Sequence, residues 1–239
     1  MSYQVEAQAA YVLHTRPYRE TSLLVDLFTL EQGKVSAVVK GARSPRSRMR
    51  AMMQPFTPLQ ISLRGRHELK TLIQAEAVAA PVFLKGDALI CGLYVNELLE
   101  RLLQPSDPHP RLYVFYQYVL NELLAANDIE LALRTFEQHL LQQLGYQFDV
   151  QGCQPDNIYR YESSQGFILV KQFSDAVKPF CFSGDQLIGI VAEQYHRPEI
   201  RRAAKRLMRL ALETQLGSRP LRSRELLQGY RPKPPVATP

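Results

Sequence analysis

VSAVVKGARSPRSRMR, residues 35–50, changes character at Lys40. Before it runs an apolar, β-branched segment (Val35, Val38, Val39) that suits a strand. From it onward come five cations, Lys40, Arg43, Arg46, Arg48 and Arg50, with no acid among them. Gly41, Ser44, Pro45 and Ser47 make this second half a poor helix or strand, so it predicts a mobile loop leaving a strand end. Like charges this close repel one another unless an anion neutralises them. A phosphate backbone fits, because arginine's fork matches phosphate geometry and counterion release drives association. A solvated basic loop without a partner is the plain alternative.

Outward from this stretch, the first 80 residues alternate and punctuate like a small β domain. Strands are expected at Ala9–His14, Ser22–Thr29, Lys34–Lys40, Phe56–Leu63 and Leu69–Ala79. Glu31-Gln32-Gly33 predicts a hairpin turn in which Gly33 takes the positive φ. Five strands are too few for a sandwich and suit a five-stranded OB-fold barrel, which binds single strands through its loops. The first loop, TRPYRET, offers Arg16, Tyr18 and Arg19; the loop before the fifth strand, RGRHE, offers Arg64, Arg66 and His67. Tyr18 and Phe56 are candidates for stacking on bases, with a core role as the ordinary alternative.

Beyond Pro81 the period changes to helical. Gly86–Gln104, Arg111–Ala126 and Ile129–Leu144 predict three helices, the last stopped by Gly145. Tyr113, Phe115, Tyr116 and Tyr118 on the second read as packing residues. Residues 159–170 predict one short hairpin, flanked by Cys153 and Cys181. A structural zinc site needs four thiolate or imidazole ligands, and neither cysteine has a nearby partner, so no metal is expected. Ser183 predicts an N-cap for a helix to about Tyr195, and Pro198 a first helical position. Glu199–Leu216 places Arg201, Arg202, Lys205, Arg206 and Arg209 opposite an apolar face, a cationic helix surface if unpartnered. Ser223 is expected to cap a last short helix, and the proline-rich residues 231–239 to be disordered. The resulting architecture is α+β: an OB-fold barrel over 1–80, a mainly helical domain over 81–230 with a hairpin insert near 150–182, and the tail.

The net charge of +6 is unevenly spread. Residues 1–80 carry 11 Lys+Arg against 6 Asp+Glu (+5), residues 81–198 carry 8 against 14 (−6), and residues 199–239 carry 10 against 3 (+7). Two basic ends flank an acidic middle, an asymmetry that favours nucleic-acid partners. No apolar run is long enough to span a membrane and MSYQVEAQAA is not built like a signal peptide, so a cytoplasmic protein is expected. The five histidines are scattered without metal-ligand spacing, and no phosphate-loop, dinucleotide-binding or nucleophile-elbow motif occurs. Glu97 and Glu100 could offer carboxylates to Mg²⁺, but they come from one element. A binding protein without catalysis or cofactor follows. An RNA-binding OB-fold protein and a protein-only adaptor are the rival readings.

KGARSPRSRMRAMMQPFTPL (Lys40–Leu59), GLYVNELLERLL (Gly92–Leu103), LRTFEQHLLQQLGY (Leu133–Tyr146) and PLRSREL (Pro220–Leu226) resemble, in order, the RecO family of bacterial recombination and repair proteins. The resemblance implies an OB-fold, a helical C-terminal domain and no catalysis. It also implies a mediator at the nucleoid that binds single- and double-stranded DNA and anneals complementary strands. With RecR, it helps RecA replace single-stranded DNA-binding protein (SSB). Some family members carry a four-cysteine zinc module. With only Cys153 and Cys181 in that region, this chain resembles the branch whose module has lost its metal. By the same resemblance Arg134, beside Leu133 and Phe136, receives the acidic, Phe-ended tail of SSB, a cation for a carboxylate next to an apolar anchor.

Overall fold

The computed structural model describes residues 4–172, 174 and 176–230. The expected disorder of residues 231–239 lies outside the described residues. The chain divides into two compact units, split before Asp128 and after Arg219. The expected boundary near residue 80 separates barrel from helices along the chain, whereas compactness groups the first two long helices and the last one with the barrel.

Five strands close that barrel: β1 (Gln4–Tyr18), β2 (Ser22–Thr29), β3 (Gly33–Val39), β4 (Pro58–Arg64) and β5 (Leu69–Ala77), in the order β1-β2-β3-β5-β4. This is the OB-fold. β1, β2 and β3 form an antiparallel meander, and β4 pairs antiparallel with both β1 and β5. A short parallel seam, Ser36 to Val38 against Leu69 to Thr71, completes the circle. Alternation sends Val25, Leu27, Val35, Ala37, Val39, Leu59, Ile61 and Leu63 into one buried core. Each such side chain contributes about 1.5–3 kcal/mol on burial.

Gly33 turns the β2–β3 hairpin at φ 64°. It is also hemmed in, since an added Cβ would stand 1.8 Å from the Asp107 carbonyl oxygen. Only glycine satisfies both the turn and this close approach.

The basic stretch, expected to be a loop from its Gly, Ser and Pro content, is not wholly one. Arg48–Met52 forms a one-turn helix, α1. Met49 and Met52 pack against the barrel core and Met53 is 1% exposed within it, so apolar anchoring overrides weak helix propensity. Phe56 is likewise core, 3% exposed, with its ring against Gly92. It cannot stack on a base.

Two helices stand with the barrel, α2 (Gly86–Leu102) and α3 (Pro110–Ala125). Asn96 Nδ2 donates to the Leu13 carbonyl at 2.9 Å, and the Tyr116 hydroxyl donates to Asn96 Oδ1 at 2.7 Å. This buried chain of bonds ties both helices to β1 and leaves no polar atom of Asn96 stranded. Tyr113 and Tyr116 are buried against Tyr11 and Phe28, packing residues as expected.

The other unit holds α4 (Ile129–Gln143), β6 (Ile158–Glu162), β7 (Gly166–Leu169), β8 (Cys181–Ser183), α5 (Gly184–Val191) and α6 (Pro198–Leu216). Gly145 at φ 85° ends α4, its N–H bonding the Gln142 carbonyl while the Tyr146 N–H reaches Leu141. The expected hairpin gains a third strand, because β6 pairs with β8 as well as β7. Phe148, Tyr161 and Phe167 hold this small sheet as a ring cluster with centroids 5.7 to 6.1 Å apart. Ser183 and Gln186 form a full capping box at α5, which stops at Val191 short of the expected Tyr195.

α7 (Arg222–Tyr230) returns to the first unit, and here the expected cap is replaced. Ser223 lies inside the helix; the cap comes from α2. The Glu97 carboxylate accepts from the Arg222 and Ser223 amides at 2.9 Å each and from the Ser223 hydroxyl at 2.7 Å. Burial works against the ionised form, but these bonds and nearby Arg101 outweigh it and hold the Glu97 carboxyl below its usual range. Glu97 is thereby committed to α7 and Arg101 rather than to a metal ion. A depressed folded-state pKa gives stability that is present above the unfolded value and lost as pH falls through the folded one. Urea unfolding from pH 6 to pH 3 should show the native protein losing its margin over Glu97→Gln as the pH drops below about 4.

Candidate nucleic-acid interface

Antiparallel pairing of β2 and β3 sets Leu23 opposite Val39, so the β1–β2 turn and the basic stretch emerge at the same end of the barrel. Backbone bonding then joins them. The Arg43 amide donates to the Thr21 carbonyl at 2.9 Å, and its guanidinium donates to the Arg19 and Glu20 carbonyls at 3.0 and 3.1 Å. Ala42, fully buried beside it, nails the segment to the core. Arg43 therefore fastens two loops together while its side chain stays at the surface. Arg16, Arg19, Lys40, Arg46, Arg48 and Arg50 are exposed on these neighbouring segments. The Arg19 guanidinium lies 5.3 Å from the centre of the half-exposed Tyr18 ring. The acids present are Glu20 in the turn and Asp26, the latter 3.8 Å from Arg16.

Arg64, exposed at the end of β4, pairs with Thr71, which also pairs with Val38, so it lies two strands across the seam from the end of β3 where the basic stretch begins; Arg66 follows in the β4–β5 loop. The cationic face read for α6 is largely spent within its own unit. Arg201 pairs with Asp128 and Lys205 with Glu130, each at 2.8 Å, and Arg209 pairs with Glu213. Arg206 donates to the Cys181 carbonyl at 2.8 Å and stacks 4.4 Å from the Phe182 ring centre. Arg202 is exposed. Periodicity reports which face is polar, not which acids another helix brings to it.

α4 departs further from expectation. Phe136 is fully buried and Leu133 half-buried, so Phe136 offers no surface to a partner. Arg134 is not an exposed cation: its side chain is 7% exposed and donates to Glu137 at 2.7 Å, with Glu137 at 2%. An ion pair this dry is costly to break, because removing one partner strands the other charge. Arg134→Ala should accordingly lower unfolding free energy by about 3–5 kcal/mol in urea titrations, with Arg134→Met plus Glu137→Leu recovering much of it.

A closed OB-fold barrel with a cation-rich end, followed by a helical unit, defines the class. Residues 1–81 match the family described as Recombination protein O N terminal, and residues 84–225 its counterpart, Recombination protein O C terminal. The DNA repair protein RecO of Tolumonas auensis is 46% identical over 232 residues, 92% of this chain and 94% of its own length. That of Pseudoalteromonas atlantica is 43% identical over 225 residues, covering 91% and 92%, and that of Haemophilus influenzae strain 86-028NP is 43% identical over 232 residues, covering 93% and 96%. The chain belongs to the RecO family, which places it among DNA repair and recombination proteins. No helix among the described residues is long and apolar enough to cross a membrane.

Proposed function

We propose that this protein is a non-enzymatic recombination mediator of DNA repair, working in the cytoplasm at the nucleoid. It binds single- and double-stranded DNA, anneals complementary strands and, with RecR, promotes RecA loading on SSB-coated single strands. Family membership supports this reading. The observation that carries it is the barrel end itself, where Arg19, Lys40, Arg46, Arg48 and Arg50 stand exposed around a turn that Arg43 holds in place.

Phosphates are the natural partners of such a surface, and phosphate contacts position a strand without reading its sequence. A strand held by its backbone keeps its bases free to pair, which is what annealing needs. Arg16 can join the grip from its contact with Asp26. α6 contributes less, through exposed Arg202 and through Lys205 and Arg209, whose exposed acid partners a phosphate can replace. Arg64, two strands from the end of β3, adds a further contact, and Arg66 an outlying one. For the acidic tail of SSB, α4 remains the docking element, with Leu133 at its surface and Arg134 and Phe136 supporting it from within.

The test is annealing of complementary strands precoated with SSB, without ATP. Acceleration is expected; failure on both coated and naked strands, with tighter binding to RNA than to DNA of the same sequence, would turn the reading toward RNA handling. For the surface, Arg43→Ala, Arg46→Ala and Arg48→Ala combined should weaken DNA binding about equally across sequences. The same change should reduce the slope of log affinity against log salt by about 2–3. Unchanged affinity would remove these loops from the interface.

A further inference from the structure

The fold gathers three metal-ligating side chains that no spacing rule connects: His14 on β1, Asp26 on β2 and Glu100 on α2. One ligand atom from each lies within 4.8 Å of the others. We propose that they form a divalent-cation site for a borderline ion of the Zn²⁺ or Co²⁺ class, bound through the His14 imidazole and the Asp26 and Glu100 carboxylates.

Three observations favour a site over a chance meeting of polar groups. First, His14 Nδ1 is shut off from solvent and has no hydrogen-bond partner, though it faces Asp26 Oδ2 at 4.0 Å. With the proton on Nε2, a buried ring nitrogen without a partner offers its electron pair. Second, the Asp26 side chain is only 7% exposed, and Ser36 Oγ donates to its Oδ1 at 2.5 Å. That bond fixes the carboxylate with its other oxygen toward His14, the kind of outer contact that orients a metal ligand. Third, the donor set of one nitrogen and two oxygens from three elements suits these ions, whose bonds of about 2.0–2.2 Å need ligand atoms roughly 3.3 Å apart. Modest side-chain rotation closes the observed separations, 4.0 Å between His14 and Asp26 and up to 4.8 Å across the three.

Two cations face the same carboxylates. Arg16 stands 3.8 Å from Asp26 Oδ2, and the Lys34 ammonium is close enough to Asp26 and Glu100 to be attracted by both while donating to the Glu100 carbonyl at 2.6 Å. They are the resident countercharges that an entering ion displaces. Arg16 is half-exposed and can swing away. On the reading of the barrel end as a DNA surface, an ion at Asp26 would free Arg16 for phosphate; the metal site itself does not depend on that reading.

The experiment is a Co²⁺ titration of the full, untagged chain without DNA, followed by visible absorption and then Zn²⁺ displacement. One bound ion per chain is expected, with affinity reduced about tenfold or more by His14→Ala and by Glu100→Gln. Lys34→Gln, which removes a competing charge, should tighten it. His14 and Glu100 are tested because both reach the surface and their replacement spares the core, whereas Asp26 is buried. Absence of binding across the titration would overturn the proposal. So would equal binding by the native chain, His14→Ala and Glu100→Gln, or a sulfur-to-cobalt band pointing to the cysteines. DNA affinity with and without Zn²⁺ is measured separately, so that a metal site without a DNA effect remains distinguishable from no metal site.

Discussion

A five-stranded sheet can satisfy its backbone only by closing, and here closure depends on the short parallel seam between β3 and β5. An open sheet would leave two edges of unpaired N–H and C=O groups, each a template for aggregation. The seam removes them, and its position has a consequence for the surface. β3 ends at Val39, opposite the start of β2, and there the chain must leave the barrel wall. Lys40 and the arginines after it are delivered to the end where the β1–β2 turn already sits. The cationic cluster follows from how the barrel shuts.

Holding like charges together costs free energy, and the barrel end meets that cost with neutral groups. Arg43 is bonded to three backbone carbonyl contacts across the two loops, counting its own amide to Thr21. Carbonyl dipoles stabilise a guanidinium without cancelling its charge, so the potential outside survives. α6 uses the other solution. Its Arg201, Lys205 and Arg209 are met by Asp128, Glu130 and Glu213, which cancel charge as well as stabilise it. Two segments with five cations each in sequence thus differ in the field they project.

That difference explains what the sequence could and could not disclose. Apolar, strand-favouring composition between turn signals placed Ser22–Thr29 to the residue, and Gly33, Gly145, Ser183 and Pro198 marked their turns and ends, because these signals are local. α1 was hidden because Met49 and Met52 on it, and Met53 at its end, reach the core, which outweighs the glycine, serines and proline before it. β8 is three residues long and pairs across a gap in sequence, and the cap of α7 comes from Glu97 on another helix. The burial of Arg134 had the same cause: a cation at a helical position looks exposed until the acid one turn on, Glu137, is seen to share its burial.

The placement of Asp26 shows how such non-local meetings acquire chemical content. It is an acid on an otherwise apolar strand, with Val25, Leu27 and Phe28 beside it fully buried. Alternation turns its carboxylate away from the barrel core toward β1, β3 and α2, where it finds His14, Arg16, Ser36 and Lys34. A carboxylate so little exposed persists only with partners, and it has several that compete. Whichever cation holds Asp26 determines whether Arg16 is tethered to the barrel wall or free at the edge of the cationic end. A single buried acid therefore couples the interior polar cluster to the surface charge, through one side chain that belongs to both.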